Sequence, residues 1–261
     1  MRIATWNVNS INARIERVLE WFEAAMPDVA CLQELKCVDE KFPAEAFERL
    51  GYNVAVHGQK TYNGVALLSK YPLEDVTRGL PGDDADEQAR YIEATVVGAM
   101  AVRIAGLYLP NGNPVPGPKY DYKLAWMERL RQRGAELLAS EMPVVMLGDF
   151  NTIPEPRDAA RPQAWVDDAL FLPESRAAFR RIMNQGWTDA VRIRDPWATR
   201  GPFTFWDYQA GSWSRDDGIR IDHLLLSPQA ADLLVETGID KEARAGEKPS
   251  DHVPVWIRLA A

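Results

Sequence analysis

PVVMLGDFN, residues 143–151, is an apolar run that breaks off into acid and amide. Val144, Val145, Met146 and Leu147 read as a β-strand, and Asp149 and Asn151 close it. Side chains alternate along an extended chain, so residues two apart share a side and can address one ligand. A second junction lies at PSDH, residues 249–252, where Asp251 and His252 open the apolar stretch Val253, Val255, Trp256, Ile257. Both junctions read as strand ends carrying acid chemistry.

Outward from 143–151 the chain alternates strand and helix. Residues 2–8 and 28–34 read as strands, with Ile11, Ile15, Val18, Leu19 and Phe22 on one helical stripe between them. Runs at 52–57, 64–69, 91–97 and 102–109 are β-rich and separated by Gly, Pro and Asp clusters, as in antiparallel sheet. Leu124, Met127, Leu130, Leu137 and Leu138 mark a long amphipathic helix before residue 143. A helix is expected around 174–185 and strands near 220–227 and 253–259, with an aromatic segment at 197–213 between them. The order is mixed α+β with more than one sheet. No linker divides it, so one domain over residues 1–261 is expected. Arg2-Ile3-Ala4 before Trp6 and Arg103-Ile104-Ala105 before Tyr108 form a short internal echo, of the kind two similar halves would leave. Loops at 110–120 and 152–172 exceed ordinary connection length, which points to function.

The bulk composition narrows the partners. Hydrophobic residues at 46% and charged ones at 26% supply a globular core. The 38 acidic residues outnumber 30 basic ones, for a net charge of −8. A polyanionic partner then requires basic residues gathered on one face and a cation to offset clustered carboxylates. Cys31 and Cys37 are too few for a disulfide framework and read as reduced thiols. No segment has the length of a membrane span, and a cytoplasmic protein is expected.

Asn7, Glu34, Asp149, Asn151, Asp222, Asp251 and His252 each stand where an apolar strand ends, so adjacent strands would gather them at one rim. Singly, each reads as a turn former, an edge charge or a solvent contact; the shared setting argues for a site. Packed carboxylates raise one another's pKa unless a cation compensates, which implies a divalent ion. Oxygen donors without a zinc-spaced Cys or His cluster favour Mg²⁺ or Mn²⁺. His57 and His223 lack such surroundings and read as structural. A carboxylate near His252 would fix its tautomer and favour its protonated form, suiting it to a phosphate oxygen. Together these groups suit attack of water on a phosphodiester.

Eight motifs in order, WNVNS (6–10), LQELK (32–36), GVALLSK (64–70), LYLPNG (107–112), GDFN (148–151), FTFWDY (203–208), RIDHLLLS (220–227) and KPSDHVPV (248–255), carry a resemblance. The chain resembles the exonuclease III family of apurinic/apyrimidinic endonucleases, within the endonuclease/exonuclease/phosphatase superfamily. That resemblance implies a four-layer α/β sandwich, two mixed β-sheets face to face with helices outside. It also implies a Mg²⁺-dependent DNA-repair nuclease that cuts 5′ to abasic sites and removes nucleotides or blocking groups from 3′ ends of duplex DNA. A monomer is expected, with no protein partner evident in the sequence.

Carried over residue by residue, the resemblance assigns Glu34 to the metal, with Asn7 and Asp251 at or near it. Asp149 would orient or deprotonate the attacking water, and Asn151 would hold that water and a phosphate oxygen. His252, held by Asp222, would contact the scissile phosphate, and Tyr108 would assist the leaving oxygen. Arg90, Asn111, Lys119 and Lys123 would contact DNA, and Phe205, with Trp206 and Ile221 in matching surroundings, would form a pocket for a flipped abasic sugar. Ser10 replaces a frequent Gly, Leu35 a frequent Thr, and the aromatics of FTFWDY are permuted, which leaves lesion preference open. Two alternatives stand beside this reading. A superfamily relative acting on a small or lipid phosphoester would suit the negative charge. A DNA-binding protein without catalysis would have no use for the acidic rim.

Overall fold

The computed structural model describes residues 1–260. One six-stranded sheet contains β1 (Arg2–Asn7), β2 (Val29–Gln33), β3 (Asn53–His57), β4 (Val65–Ser69), β11 (Leu234–Ile239) and β12 (Val255–Leu259) in the order β11-β12-β1-β2-β4-β3. The other contains β5 (Leu73–Arg78), β6 (Tyr91–Val97), β7 (Ala101–Tyr108), β8 (Val144–Asp149), β9 (Thr188–Asp189) and β10 (Asp222–Leu226) in the order β5-β6-β7-β8-β10-β9. Each sheet has one parallel pair at its centre, β1 with β2 and β7 with β8, and antiparallel pairs elsewhere. A parallel pair needs a long crossover, and the helices α1 (Ile11–Ala25) and α3 (Pro118–Ala139) supply the two. The sheets therefore share one topology, and the echo of Arg2-Ile3-Ala4 in Arg103-Ile104-Ala105 falls on β1 and β7, third in their respective orders.

Alternation along the strands builds the core in three sandwiched layers. Ile3, Cys31 and Leu67 of the first sheet face Ile92, Ile104, Val145 and Leu224 of the second. The alternate residues Ala4, Leu32 and Leu68 pack against Val18, Trp21 and Phe22 of α1 and Phe47 of α2 (Ala44–Glu48). On the opposite outside, Leu107, Val144 and Met146 meet Trp126, Met127 and Leu130 of α3 and Phe179 and Ile182 of α4 (Pro173–Met183). Covered on both faces, the central strands have no polar side, and so they read as unbroken apolar runs. This is the four-layer sandwich that the motifs implied.

The local differences have local causes. Helix α3 begins at Pro118, ahead of the stripe that starts at Leu124, because proline at a first helical position has its φ preset and lacks an N–H that would go unpaired there. Lys119, expected in the 110–120 loop, is therefore helical, as is Lys123. Strands β5 and β11 were not legible, since both lie at sheet edges and their half-exposed residues, LEDVTR and LVETGI, lack a clean alternation. The short helices α5 (Ala190–Arg194) and α6 (Pro228–Asp232) are set by side-chain caps at Asp189 and Ser227. Among the described residues no helix is long and apolar enough to cross a membrane.

Candidate active site

The rim forms where β1, β2, β7, β8 and β10 end together. Register pairs Asn7 with Gln33, Tyr108 with Asp149, and Asp149 with Asp222, so the polar residues leaving these strands converge. Asn7 ties the sheets to each other: its Nδ2 donates to Glu34 Oε1 at 2.9 Å and to Asp149 Oδ2 at 2.9 Å. Its Oδ1 accepts the backbone N–H of Asn9 at 3.0 Å, so in this arrangement the amide faces the carboxylates with its nitrogen.

Asp149, Asp222 and His252 offer ligand atoms within 4.8 Å of one another. The trio reads better as a proton network than as a metal cage, because His252 Nδ1 is committed to Asp222, 2.8 Å from Oδ2 and 3.1 Å from Oδ1. His252 Nε2 is left facing Asp149 Oδ2 at 3.6 Å. Burial opposes charge on His252, but Asp222 and then Asp149 outweigh it and push its pKa to about 10. Burial raises Asp149 to about 7, with His252 pulling it down and Asp222 pushing it up. The two groups titrate as one system; the direct bond to Asp222 keeps the imidazole protonated, and the desolvated Asp149 is basic enough to accept a proton.

Asn151 reaches Asp149 by a route other than the expected one. Strand β8 stops at Asp149 and Asn151 has φ +42°, so strand alternation does not apply to the pair. Instead Asp149 Oδ1 accepts the Asn151 backbone N–H at 2.8 Å, a turn of the Asx type that brings the two side chains together. Asn151 Nδ2 donates to Leu109 O at 2.8 Å and its Oδ1 accepts from Asn111 Nδ2 at 3.3 Å.

Burial, Glu34 and Asp149 raise the Tyr108 hydroxyl well above its ordinary range, and it remains a proton donor. The Arg90 guanidinium lies over its ring at 4.9 Å. Burial works against ionisation of Glu34, yet Lys36, Asn7 and His252 hold its pKa below the usual value. Lys36 Nζ sits 3.0 Å from Glu34 Oε2 and 2.6 Å from Asn9 Oδ1, while Asn9 Nδ2 donates to Asp251 Oδ1 at 3.1 Å. A cation thus already bridges the oxygens of Glu34 and Asn9, and this all-oxygen set with Asp251 beside it suits a hard divalent ion. Asn9 and Lys36 were not singled out in the sequence; each stands two residues past a residue that was.

Several residues expected at the DNA surface take other places. Phe205 does lie at the rim, its ring 5.0 Å from that of His252, and with Trp165 and Ile219 it lines a slot of about 340 Å³. Trp206, next along an extended segment, faces the other way, fully buried against Phe203 and Val253. Ile221 is buried beneath the slot with Ile153 and Phe171, and Ile219, which was not foreseen, forms the wall. Lys123 is buried, its Nζ donating to the carbonyls of Asn111 and Asn151, and burial lowers its pKa to about 7. It braces loops and offers nothing to a ligand outside. Asn111 and Lys119 are exposed and Arg90 is half-buried. His223 is buried between Arg220 and the Thr152 carbonyl, neutral with a pKa near 4 through burial and the arginine's charge, consistent with the structural reading.

Residues 4–252 match the model of the Endonuclease/Exonuclease/phosphatase family. The chain belongs to this family. A family relative, exodeoxyribonuclease III of Haemophilus influenzae, is 36% identical over 99% of this chain and 100% of its own length. The 3′-5′ exonuclease NExo of Neisseria meningitidis superposes with a TM-score of 0.95 at 38% identity, covering 100% of both chains. That enzyme is also known as a 3′ phosphatase bound to a product DNA hairpin. An AP endonuclease from Archaeoglobus fulgidus gives a TM-score of 0.94 at 36% identity, again over 100% of both. Membership of the endonuclease/exonuclease/phosphatase family accounts for the two matched sheets and for the rim where they meet.

Proposed function

We propose that this protein is a divalent-metal-dependent DNA-repair nuclease, hydrolysing the phosphodiester 5′ to abasic sites and removing nucleotides or blocking groups from 3′ ends of duplex DNA. The observation that carries the chemistry is the contact of a protonated His252, held by Asp222 at 2.8 Å, with a desolvated Asp149 3.6 Å away. Asp149 takes the proton of the attacking water, and Asn151 orients that water and a phosphate oxygen. His252 meets the charge growing on the phosphate, and the Tyr108 hydroxyl hydrogen-bonds the departing oxygen. Glu34, with Asn9, Asp251 and Asn7 around it, would hold Mg²⁺ or Mn²⁺, which when bound supplies positive charge against the transition state. Phe205, packed against the His252 ring, would with Trp165 and Ile219 give a flipped-out abasic sugar an apolar wall in a slot that Asp168, Asp207 and Asp217 also line.

The deciding experiment is incubation in Mg²⁺ with a duplex carrying one abasic site, a blunt duplex, and a small phosphodiester. Scission 5′ to the lesion and shortening from 3′ ends are expected. Hydrolysis of the small ester with both duplexes intact would overturn the repair reading in favour of a small or lipid phosphoester. EDTA should stop the reaction and Mg²⁺ or Mn²⁺ should restore it; undiminished cleavage in EDTA would remove the metal.

A further inference from the structure

Tyr208 closes the motif FTFWDY and is 48% exposed, yet its hydroxyl uses every bond it can make. It donates to Pro249 O at 2.8 Å and accepts from Arg14 Nη2 at 3.0 Å and from Asn9 Nδ2 at 3.3 Å. One donor and two acceptor positions exhaust a phenol oxygen. Arg14 joins the same segments, with Nη1 donating to Asn9 O and Nε to Pro249 O at 3.0 Å. Its own backbone departs from helical geometry within the first turn of α1, at φ −130° and ψ 17°. The Arg244 guanidinium covers the Tyr208 ring at 5.0 Å and donates to Trp206 O at 3.1 Å. These bonds converge on Asn9. Its Nδ2 is shared between Tyr208 and Asp251 Oδ1 at 3.1 Å, which leaves Oδ1 turned to Lys36 Nζ at 2.6 Å, itself 3.0 Å from Glu34 Oε2. Reversed, the amide would set its nitrogen against the ammonium and its oxygen against the Asp251 carboxylate.

We propose that Tyr208, joined by Arg14, is a positioning residue for the divalent ion: its hydroxyl fixes the Asn9 amide with Oδ1 toward Glu34 and ties Asn9 to the segment that carries Asp251. A group that orients a metal ligand without touching the metal still governs affinity, because it sets the direction of the ligand's lone pairs before the ion arrives. The inference rests on the metal-dependent reading of the site and deepens it, since it adds two residues from outside the acidic rim.

The test is Mn²⁺ binding to the DNA-free protein by titration calorimetry, with thermal unfolding in EDTA alongside. Tyr208→Phe keeps the ring and loses the hydroxyl; it should weaken Mn²⁺ binding by about tenfold while shifting the melting temperature in EDTA by no more than about 4 °C. Tyr52→Phe is the control, since it removes a hydroxyl that donates to Pro27 O at 2.7 Å, at the opposite end of β2 from Glu34. It should lower the melting temperature and leave Mn²⁺ affinity unchanged. In an Asn9→Ala background, adding Tyr208→Phe should cost no further affinity, because the amide it orients is gone. Equal Mn²⁺ binding by the wild type and Tyr208→Phe, an equal loss in Tyr52→Phe, or additive losses in the double variant would overturn the positioning role and leave the ion in place. A wild-type protein that binds no Mn²⁺ would remove the ion and the role together.

Discussion

At the residue scale, the site depends on which group holds the proton. With Asp149 raised by burial and His252 cationic, replacing Asp149 by Asn removes the base while keeping nearly the same shape. Turnover should fall by about 10³-fold or more with DNA affinity largely kept, as single-turnover rates and anisotropy would report; near-normal turnover would refute the assignment. The His252 shift makes a second prediction. Its pKa is raised, so the stability from its ion pair with Asp222 is fully present below pH 6.5 and is lost as pH rises through about 10. Asp222→Asn removes the main cause, and the imidazole should then lose its proton several pH units lower. Its NMR titration and the alkaline limb of the pH–rate profile should move together; a titration unchanged from the wild type would contradict the pairing. Asp149, Asp222 and His252 were all legible in GDFN, RIDH and PSDH. Asn9 and Lys36 were not, because neither ends an apolar run and only folding brings Lys36 onto Glu34.

At the scale of elements, Gly106 of β7 packs directly against Cys31 of β2, across the two sheets. A Cβ at residue 106 would lie 2.3 Å from Cys31 Sγ. Gly106→Ala should therefore destabilise by about 1–3 kcal/mol in urea titrations, and adding Cys31→Ala should recover part of that loss by vacating the space. Independent, additive losses would show that the sulfur is not the obstacle. A second junction is buried and charged. Arg220, in the segment leading into β10, donates to Asp158 Oδ1 at 2.7 Å and to Asp189 Oδ2 at 2.7 Å, and Asp158 also accepts from Arg192 at 2.5 Å. This joins the 152–172 loop to the strand that carries Asp222. Asp158→Ala leaves Arg192 without its carboxylate and Arg220 with Asp189 alone, and should cost about 3–5 kcal/mol, measured by denaturant unfolding. The central strands and the long helices were readable because double-sided or striped burial writes a strong pattern; the edge strands β5 and β11 were not, because half-exposed positions accept almost any residue.

At the scale of the whole molecule, the core between the sheets draws on residues from Ile3 to Leu259, so neither sheet has a complete interior of its own. Urea unfolding followed by tryptophan fluorescence and by far-ultraviolet circular dichroism should give one coincident transition; two separated transitions would show halves that fold alone. The sequence by itself determined the α+β pattern, the acidic strand ends and, through eight ordered motifs, the family, because each depends on side-chain types at short spacings; the shared topology of the two sheets showed only in the structure. Only the tertiary structure decided which polar residues meet. It turned Trp206 and Ile221 inward, sank Lys123 beneath the loops, brought Ile219 to the slot and left Trp197 in the open. Those outcomes depend on which face each segment turns to its neighbours across the two sheets. That choice is made by long-range packing, which short-range spacing does not record.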